Sequence, residues 1–260
     1  TPEARYAMTG LKNTYVDMND VKSYFSFIKT LAGYGDVNLS EKDSLLYGSG
    51  EKLYMTGNCG KASEIFRNYL NEFQNGSFRI NALFYLAECA NSAGNKDEAL
   101  KYYTDVIQAS NNDFIQQSLI TASSILFEME NYQKSLSLYI DLENISISPE
   151  VTIIALKGQL RSAYLSGDAQ KTIAVAAKIS AAEKIPEELL RESTFMSGKA
   201  HYSQNEYEEA LKDFRKISGE VTSIEGAESK YRVAELLFRK GLSAESEKVI
   251  NEFIDQNTPH

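Results

Sequence analysis

One position recurs seven times along this chain, at intervals of 36 to 39 residues: Leu11, Gly50, Ala87, Ser123, Leu160, Gly198 and Ala234, five of them small. Twelve residues after each stand Ser23, Ala62, Ala99, Ser135, Thr172, Ala210 and Ser246, all of them small. Four residues further come Phe27, Phe66, Tyr103, Tyr139, Ala176, Phe214 and Ile250, all but one bulky. We number these positions 8, 20 and 24 of a repeat. A fixed period of this length excludes most compact folds and requires a stack of supersecondary units, each burying its apolar face against the next. Small residues at 8 and 20 suit a close helix–helix crossing, and the spacing predicts seven helical hairpins, over 3–35, 40–74, 78–110, 113–146, 149–182, 187–219 and 224–257.

Turn chemistry supports this register. Gly57-Asn58, Gly94-Asn95, Gly167-Asp168 and Gly241 supply the left-handed residue that closes a helix C-terminus. Pro2, Pro149, Pro186 and Pro259 all fall between repeats, where a residue without an N–H is tolerated. Ser40-Glu41-Lys42-Asp43 reads as the N-terminal cap of the second hairpin.

The pattern resembles the tetratricopeptide repeat: a small residue at 8, an aromatic or Leu at 11, Ala at 20, an aromatic at 24 and Pro near 32. The cleanest copy is Gly198, His201, Tyr202, Asn205-Glu206-Tyr207, Ala210 and Phe214. The resemblance covers essentially the whole chain and implies an all-α fold, a right-handed α–α superhelix, used to bind other proteins. The chain departs from the pattern in having no Trp, in repeats longer than the common form, and in carrying Leu160 and Ala176 at positions 8 and 24 of the fifth repeat. Small residues at Ala174, Ala176 and Ala177 lead us to expect closer helix approach or a bend there. Two stretches, Ala62 to Phe73 and Ala82 to Cys89, resemble a bacterial cell-envelope subgroup related to the Tol–Pal accessory protein and the outer-membrane assembly lipoproteins. Gln74 stands where that subgroup has Pro. This likeness implies a periplasmic or outer-membrane-associated location; the wider family also includes cytoplasmic proteins.

Composition narrows the function. With 27 Lys and Arg against 36 Asp and Glu, the net charge is −9, the opposite of a nucleic-acid footprint. No apolar run reaches the roughly 18–20 residues of a membrane span. The absence of a linker rich in Gly, Ser or Pro favours one solenoid over two globular domains, and the boundaries read as those of a piece of a longer chain. Cys59 and Cys89 lie near one edge of adjacent hairpins; they form a disulfide in an oxidising compartment, or stand as one exposed thiol and one buried.

No catalytic, metal or cofactor constellation is evident. The two histidines are His201, at a core-facing position, and the terminal His260, and no phosphate-binding, dinucleotide, zinc-protease or hydrolase motif occurs. The pairs Glu187-Glu188 and Glu208-Glu209 read as solvated helix N-terminal charge. The first helix of each hairpin is expected to line the inner face, presenting Tyr47, Glu51, Tyr54, Phe84, Glu88, Tyr231, Glu235 and Phe238 among others. Lys157, Arg161 and Lys199 gather in the fifth and sixth repeats beside Tyr164, Phe195 and Tyr202, and Glu192 is the nearest internal counter-charge. These six residues form the candidate partner-binding site for an acidic segment or a chain-terminal carboxylate. The alternatives are ordinary packing of this face, a glycan-binding envelope lipoprotein, and a self-assembly module joining copies through uncapped terminal repeats.

Overall fold

The computed structural model of the protein describes residues 2–18, 20–31, 38–109 and 111–257. Among them are fourteen helices and no strand. They pair as α1 (Pro2–Asp17) with α2 (Val21–Ile28), α3 (Leu39–Met55) with α4 (Cys59–Glu72), and α5 (Arg79–Ser92) with α6 (Lys96–Gln108). Next come α7 (Ile115–Glu128) and α8 (Tyr132–Ile145), α9 (Pro149–Leu165) and α10 (Ala169–Ala181), α11 (Glu187–Ser203) and α12 (Tyr207–Ile217), and α13 (Ile224–Arg239) and α14 (Ser243–Asn257). The helices gather in two compact units, Thr1–Ala122 and Ser123–His260. Within the first unit α1 meets α3 and α3 meets α5; within the second α9 meets α11 and α11 meets α13. Second helices make no comparable contact with one another within a unit among the described residues. First helices therefore form the inner face of each unit.

The repeat register is held by one local device. In the second to seventh hairpins the residue at position 20 donates its N–H to the carbonyl of the residue before the second helix: Ala62 to Asn58, Ala99 to Asn95, Ser135 to Asn131, Thr172 to Asp168, Ala210 to Glu206 and Ser246 to Leu242, all at 2.9–3.0 Å. All six are buried. Where the small residue is serine, its hydroxyl finds a partner at the crossing: Ser135 Oγ donates to the Ser123 carbonyl and Ser246 Oγ to that of Ala234, both at 2.8 Å. That bond removes the cost of a buried unpaired hydroxyl.

The first hairpin corrects the sequence register. Asp20 caps α2, accepting from Ser23 N at 3.1 Å, and the bond to its carbonyl comes from Tyr24. Tyr24 and Ile28 are the buried pair, while Phe27 is 40% exposed. The alignment by residue type had placed Ser23 and Phe27 there, one residue early. The second hairpin's cap also moves: α3 begins at Leu39, and Asn38 accepts from Ser40 N at 3.0 Å, so Asn38 and not Ser40 is the cap. Asp43, assigned to that cap, is buried instead and accepts from Tyr69 Oη at 2.5 Å and Ser77 N at 2.9 Å. Ile250 is 44% exposed, with no described helix following α14 to cover it. Pro149 is the first residue of α9 and Pro186 caps α11, as the spacing requires. Pro259 and His260 lie outside the described residues.

The predicted turn glycines Gly57, Gly94, Gly167 and Gly241 have φ between 75° and 79°. In the fourth and sixth hairpins the same place, one residue before the cap, is held by Glu130 (φ 58°) and Asn205 (φ 62°). A left-handed conformation costs a side-chain-bearing residue about 1–2 kcal/mol, and asparagine less. Glu130→Gly is therefore expected to raise the unfolding free energy by about 0.5–1 kcal/mol once the entropy cost of glycine is counted, and with it the denaturation midpoint, and Asn205→Gly by less. A loss of stability in Glu130→Gly, as glycine gives in a helix interior, would contradict this turn.

Position 8 meets position 24 inside the second and sixth hairpins. A Cβ at Gly50 would stand 2.7 Å from the Phe66 ring, and one at Gly198 would stand 2.8 Å from the Phe214 ring. Both rings are fully buried. In the fifth hairpin the sizes are exchanged: Leu160 is fully buried and Ala176 nearly so. Its apparent weakness as a repeat is thus an inverted pair that fills the same space. The short side chains Ala176, Ala177 and Ala181 of α10 line a cleft of about 400 Å³ with residues of α11 and α12.

Candidate functional site

The six candidate residues come from two adjacent first helices. Lys157, Arg161 and Tyr164 follow one another at i, i+4 and i+7 on α9, and Phe195, Lys199 and Tyr202 do the same on α11, which lays each set on one helix face. All six are half-buried. The third element is α13, which supplies counter-charges that residue-type reasoning on two helices had not assembled.

The charges are arranged as a ladder between neighbouring repeats. Arg161 on α9 makes a two-pronged bond to Glu192 on α11, with Nε to Oε1 at 2.6 Å and Nη2 to Oε2 at 3.0 Å. Lys199 on α11 lies 3.2 Å from Glu228 on α13 and 5.1 Å from the centre of the Phe195 ring. Tyr202 donates its hydroxyl to Glu235 on α13 at 2.6 Å. Glu235 also receives Arg232 at 2.8 Å and Arg239 at 3.1 Å, and both guanidinium groups lie over the Tyr202 ring.

These contacts set the proton affinities. Glu192 holds the Arg161 guanidinium above its ordinary value. Burial pulls Lys199 down, but the neighbouring Tyr164 and Glu228 outweigh it and leave it raised. Burial pushes Glu235 up, and the Tyr202 hydroxyl with Arg232 reverses that, leaving the carboxyl below its usual range. The bond to Glu235 raises the Tyr202 phenol. Each shift favours the form these four groups hold at pH 7: Arg161, Lys199 and Glu235 charged, Tyr202 neutral.

The three cations are therefore not equivalent. The charges of Arg161 and Lys199 are answered internally, the first by the rival Glu192 that the sequence had offered. Lys157 makes no ion pair among the described residues. Several aromatics expected on the inner face belong to the core: Tyr47 and Phe84 are buried, stacked on Phe78 at 4.4 Å and Phe114 at 4.5 Å. Tyr231 and Phe238, on α13, are more than half exposed.

His201 sits on the opposite side of α11, in the 400 Å³ cleft with Ser197 and Asp213. The Ser197 hydroxyl donates to Asp213 at 2.7 Å, and His201 Nε2 is 3.9 Å from the same carboxylate. The serine is bonded to the carboxylate and not to the imidazole, so the three are not ordered as a Ser–His–Asp triad. His201 Nδ1 lies 2.6 Å from Glu206. The described residues contain no group of three or more His, Cys, Asp or Glu able to hold a metal ion, and no described helix is long and apolar enough to cross a membrane. Glu187, Glu188, Glu208 and Glu209 lie in the first turns of α11 and α12.

Cys59, the first residue of α4, and Cys89, in α5, form a disulfide with Cα atoms 5.3 Å apart. That distance lies within the range disulfides occupy, and it resolves the alternative between a bond and two thiols.

Comparison with known proteins agrees with this architecture. Residues 81–110 match the family model of the tetratricopeptide repeat. No curated protein sequence matches the chain. The fold is similar to the crystal structure of MamA protein, at 12% identity over 68% of this chain and 91% of that one, with a TM-score of 0.53. It is also similar to a chain in the structure of Naa15/Naa10 bound to HypK-THB, at 12% identity over 98% of this chain but 37% of that one, with a TM-score of 0.64. A third relative in fold is the signal-transduction ATPase with a tetratricopeptide-repeat sensor, PH0952 from Pyrococcus horikoshii. There the identity is 14% over 98% of this chain and 42% of that one, with a TM-score of 0.51. The matched family is a structural repeat. Residues 81–110 thus match a tetratricopeptide repeat, and the fold as a whole is similar to that of structures that include such repeats.

Proposed function

We propose that the chain is a non-catalytic scaffold that binds a partner protein or peptide on the first-helix face of α9, α11 and α13. The observation that carries this reading is the ladder itself. Arg161, Lys199 and Tyr202 are held in fixed positions by Glu192, Glu228 and Glu235, which gives a pre-ordered polar surface that costs little further side-chain entropy on binding. Lys157, Tyr164, Phe195 and Tyr202 supply an unanswered cation and half-buried rings for an acidic segment beside apolar residues. The Naa15/Naa10 structure, of similar fold, is one in which a further protein, HypK-THB, is bound.

We further infer an oxidising compartment, in line with the envelope resemblance; the Cys59–Cys89 bond supports it, since such bonds persist outside the reducing cytosol.

Lys157 is the clean probe, because reversing Arg161 would set two carboxylates together. Lys157→Glu is expected to weaken an acidic partner about tenfold or more, with a helical spectrum and melting midpoint like those of the parent. Tyr164→Ala should weaken it as well. Unchanged affinity in both folded variants at low salt would remove this face from consideration.

A further inference from the structure

A second charged feature lies in the first unit, away from the inner face. A cavity of about 260 Å³ opens between α2, α3 and the end of α4. Its floor is apolar, made by Val21, Phe25 and Leu46, each no more than 5% exposed. Its rim carries three ammonium groups, Lys22, Lys29 and Lys42, against one carboxylate, Glu72. Glu72 is taken up by Lys42, whose ammonium also stands 5.9 Å from the Phe25 ring centre. The nearby carboxylates are committed elsewhere: Glu41 pairs with Lys12 at 3.3 Å, and Asp20 caps α2. Lys22 and Lys29 make no ion pair among the described residues. In a chain with net charge −9, two uncompensated cations facing one partly enclosed, apolar-floored cavity form a local excess of positive charge.

We propose that this cavity binds a small organic anion, with an oxyanion head at Lys22, Lys29 and Lys42 and an apolar body against Val21, Phe25 and Leu46. Like charges held close repel, and an anion between them converts the repulsion into attraction. The proton affinity of Lys42 is lowered, first by burial and then by Lys29 and Lys22, as expected of an ammonium group in this setting. Volume sets the size of the ligand, since 260 Å³ holds a ring or short branched chain with its head group but not a folded segment. The proposal is independent of the partner-binding face, which lies in the other unit.

Titration calorimetry of the whole chain at low salt, with phenyl phosphate and benzoate as probes, tests it. Saturable binding of at least one probe is expected, and the tighter one identifies the head group as phosphate or carboxylate. Inorganic phosphate should bind several-fold more weakly than phenyl phosphate. The double variant Lys22→Ala, Lys29→Ala, at exposed positions, should weaken binding at least tenfold. A control double variant at exposed lysines elsewhere, Lys101→Ala, Lys134→Ala, should leave it unchanged. No saturable binding of either probe, or equal losses in the two double variants, would overturn the site. Inorganic phosphate binding as tightly as phenyl phosphate would overturn the role of the apolar floor.

Discussion

Phe214→Ala should remove about 3–5 kcal/mol from the stability of the second unit, the range for emptying a fully buried aromatic site. Gly198→Leu should be costly too, by about 1–3 kcal/mol, because a Cβ at Gly198 already comes within 2.8 Å of the Phe214 ring and a ring cannot fold away as an aliphatic tail can. Combined, the two changes are expected to offset one another. The double variant, with leucine at position 8 and alanine at position 24 of the sixth hairpin, would reproduce the exchange of sizes that the fifth hairpin carries naturally in Leu160 and Ala176, both buried. A double-mutant cycle by urea unfolding should give a favourable coupling of about 2 kcal/mol. Additive losses would show that positions 8 and 24 do not share one space.

Breaking the Cys59–Cys89 bond is the second large perturbation. The bond closes a loop with a sequence separation of 30 and ties the start of α4 to α5. Cross-linking a loop of this length typically stabilises by about 2–4 kcal/mol, chiefly by restricting the unfolded chain. Cys59→Ser with Cys89→Ser, or reduction of the parent, should lower the midpoint accordingly and raise amide exchange in α4 and α5. Two free thiols in the protein isolated without reductant, and a midpoint indifferent to reductant, would contradict the pairing and with it the support for an oxidising compartment.

The fold was legible where residue type alone fixes the backbone. Four glycines at one place in the repeat announced four left-handed turns, and small residues twelve positions apart announced the crossings. The reading slipped where a side chain's role depended on a hydrogen bond. Asp20 moves the first register by one residue, and Asn38 takes the cap from Ser40, because each carboxylate or amide oxygen reaches an N–H that residue type cannot locate. Leu160 looked like a failed small residue because its compensation by Ala176 stands in another helix.

The candidate face was half legible. Residue spacing placed Lys157, Arg161 and Tyr164 on one helix face and Phe195, Lys199 and Tyr202 on the next. It offered Glu192 as a counter-charge but missed Glu228, which answers Lys199. A signal existed: the cross-repeat pairs Arg161–Glu192, Lys199–Glu228 and Arg67–Glu98 join opposite charges 29 to 31 residues apart, a separation shorter than the repeat. Cross-repeat separation of opposite charges therefore reads contacts that periodicity of like residues misses.

Site-specific photocrosslinking in the native cell compares the two faces most directly. A photoreactive residue would be placed singly at Lys157, Tyr164 and Tyr231 on first helices, and at Lys134, Lys171 and Lys212 on second helices. Our reading predicts crosslinks to one and the same partner protein from the first-helix positions of the second unit, competed away by the isolated partner, and none from the second-helix positions. The same partner captured from the second helices, with the first-helix positions silent, would contradict it.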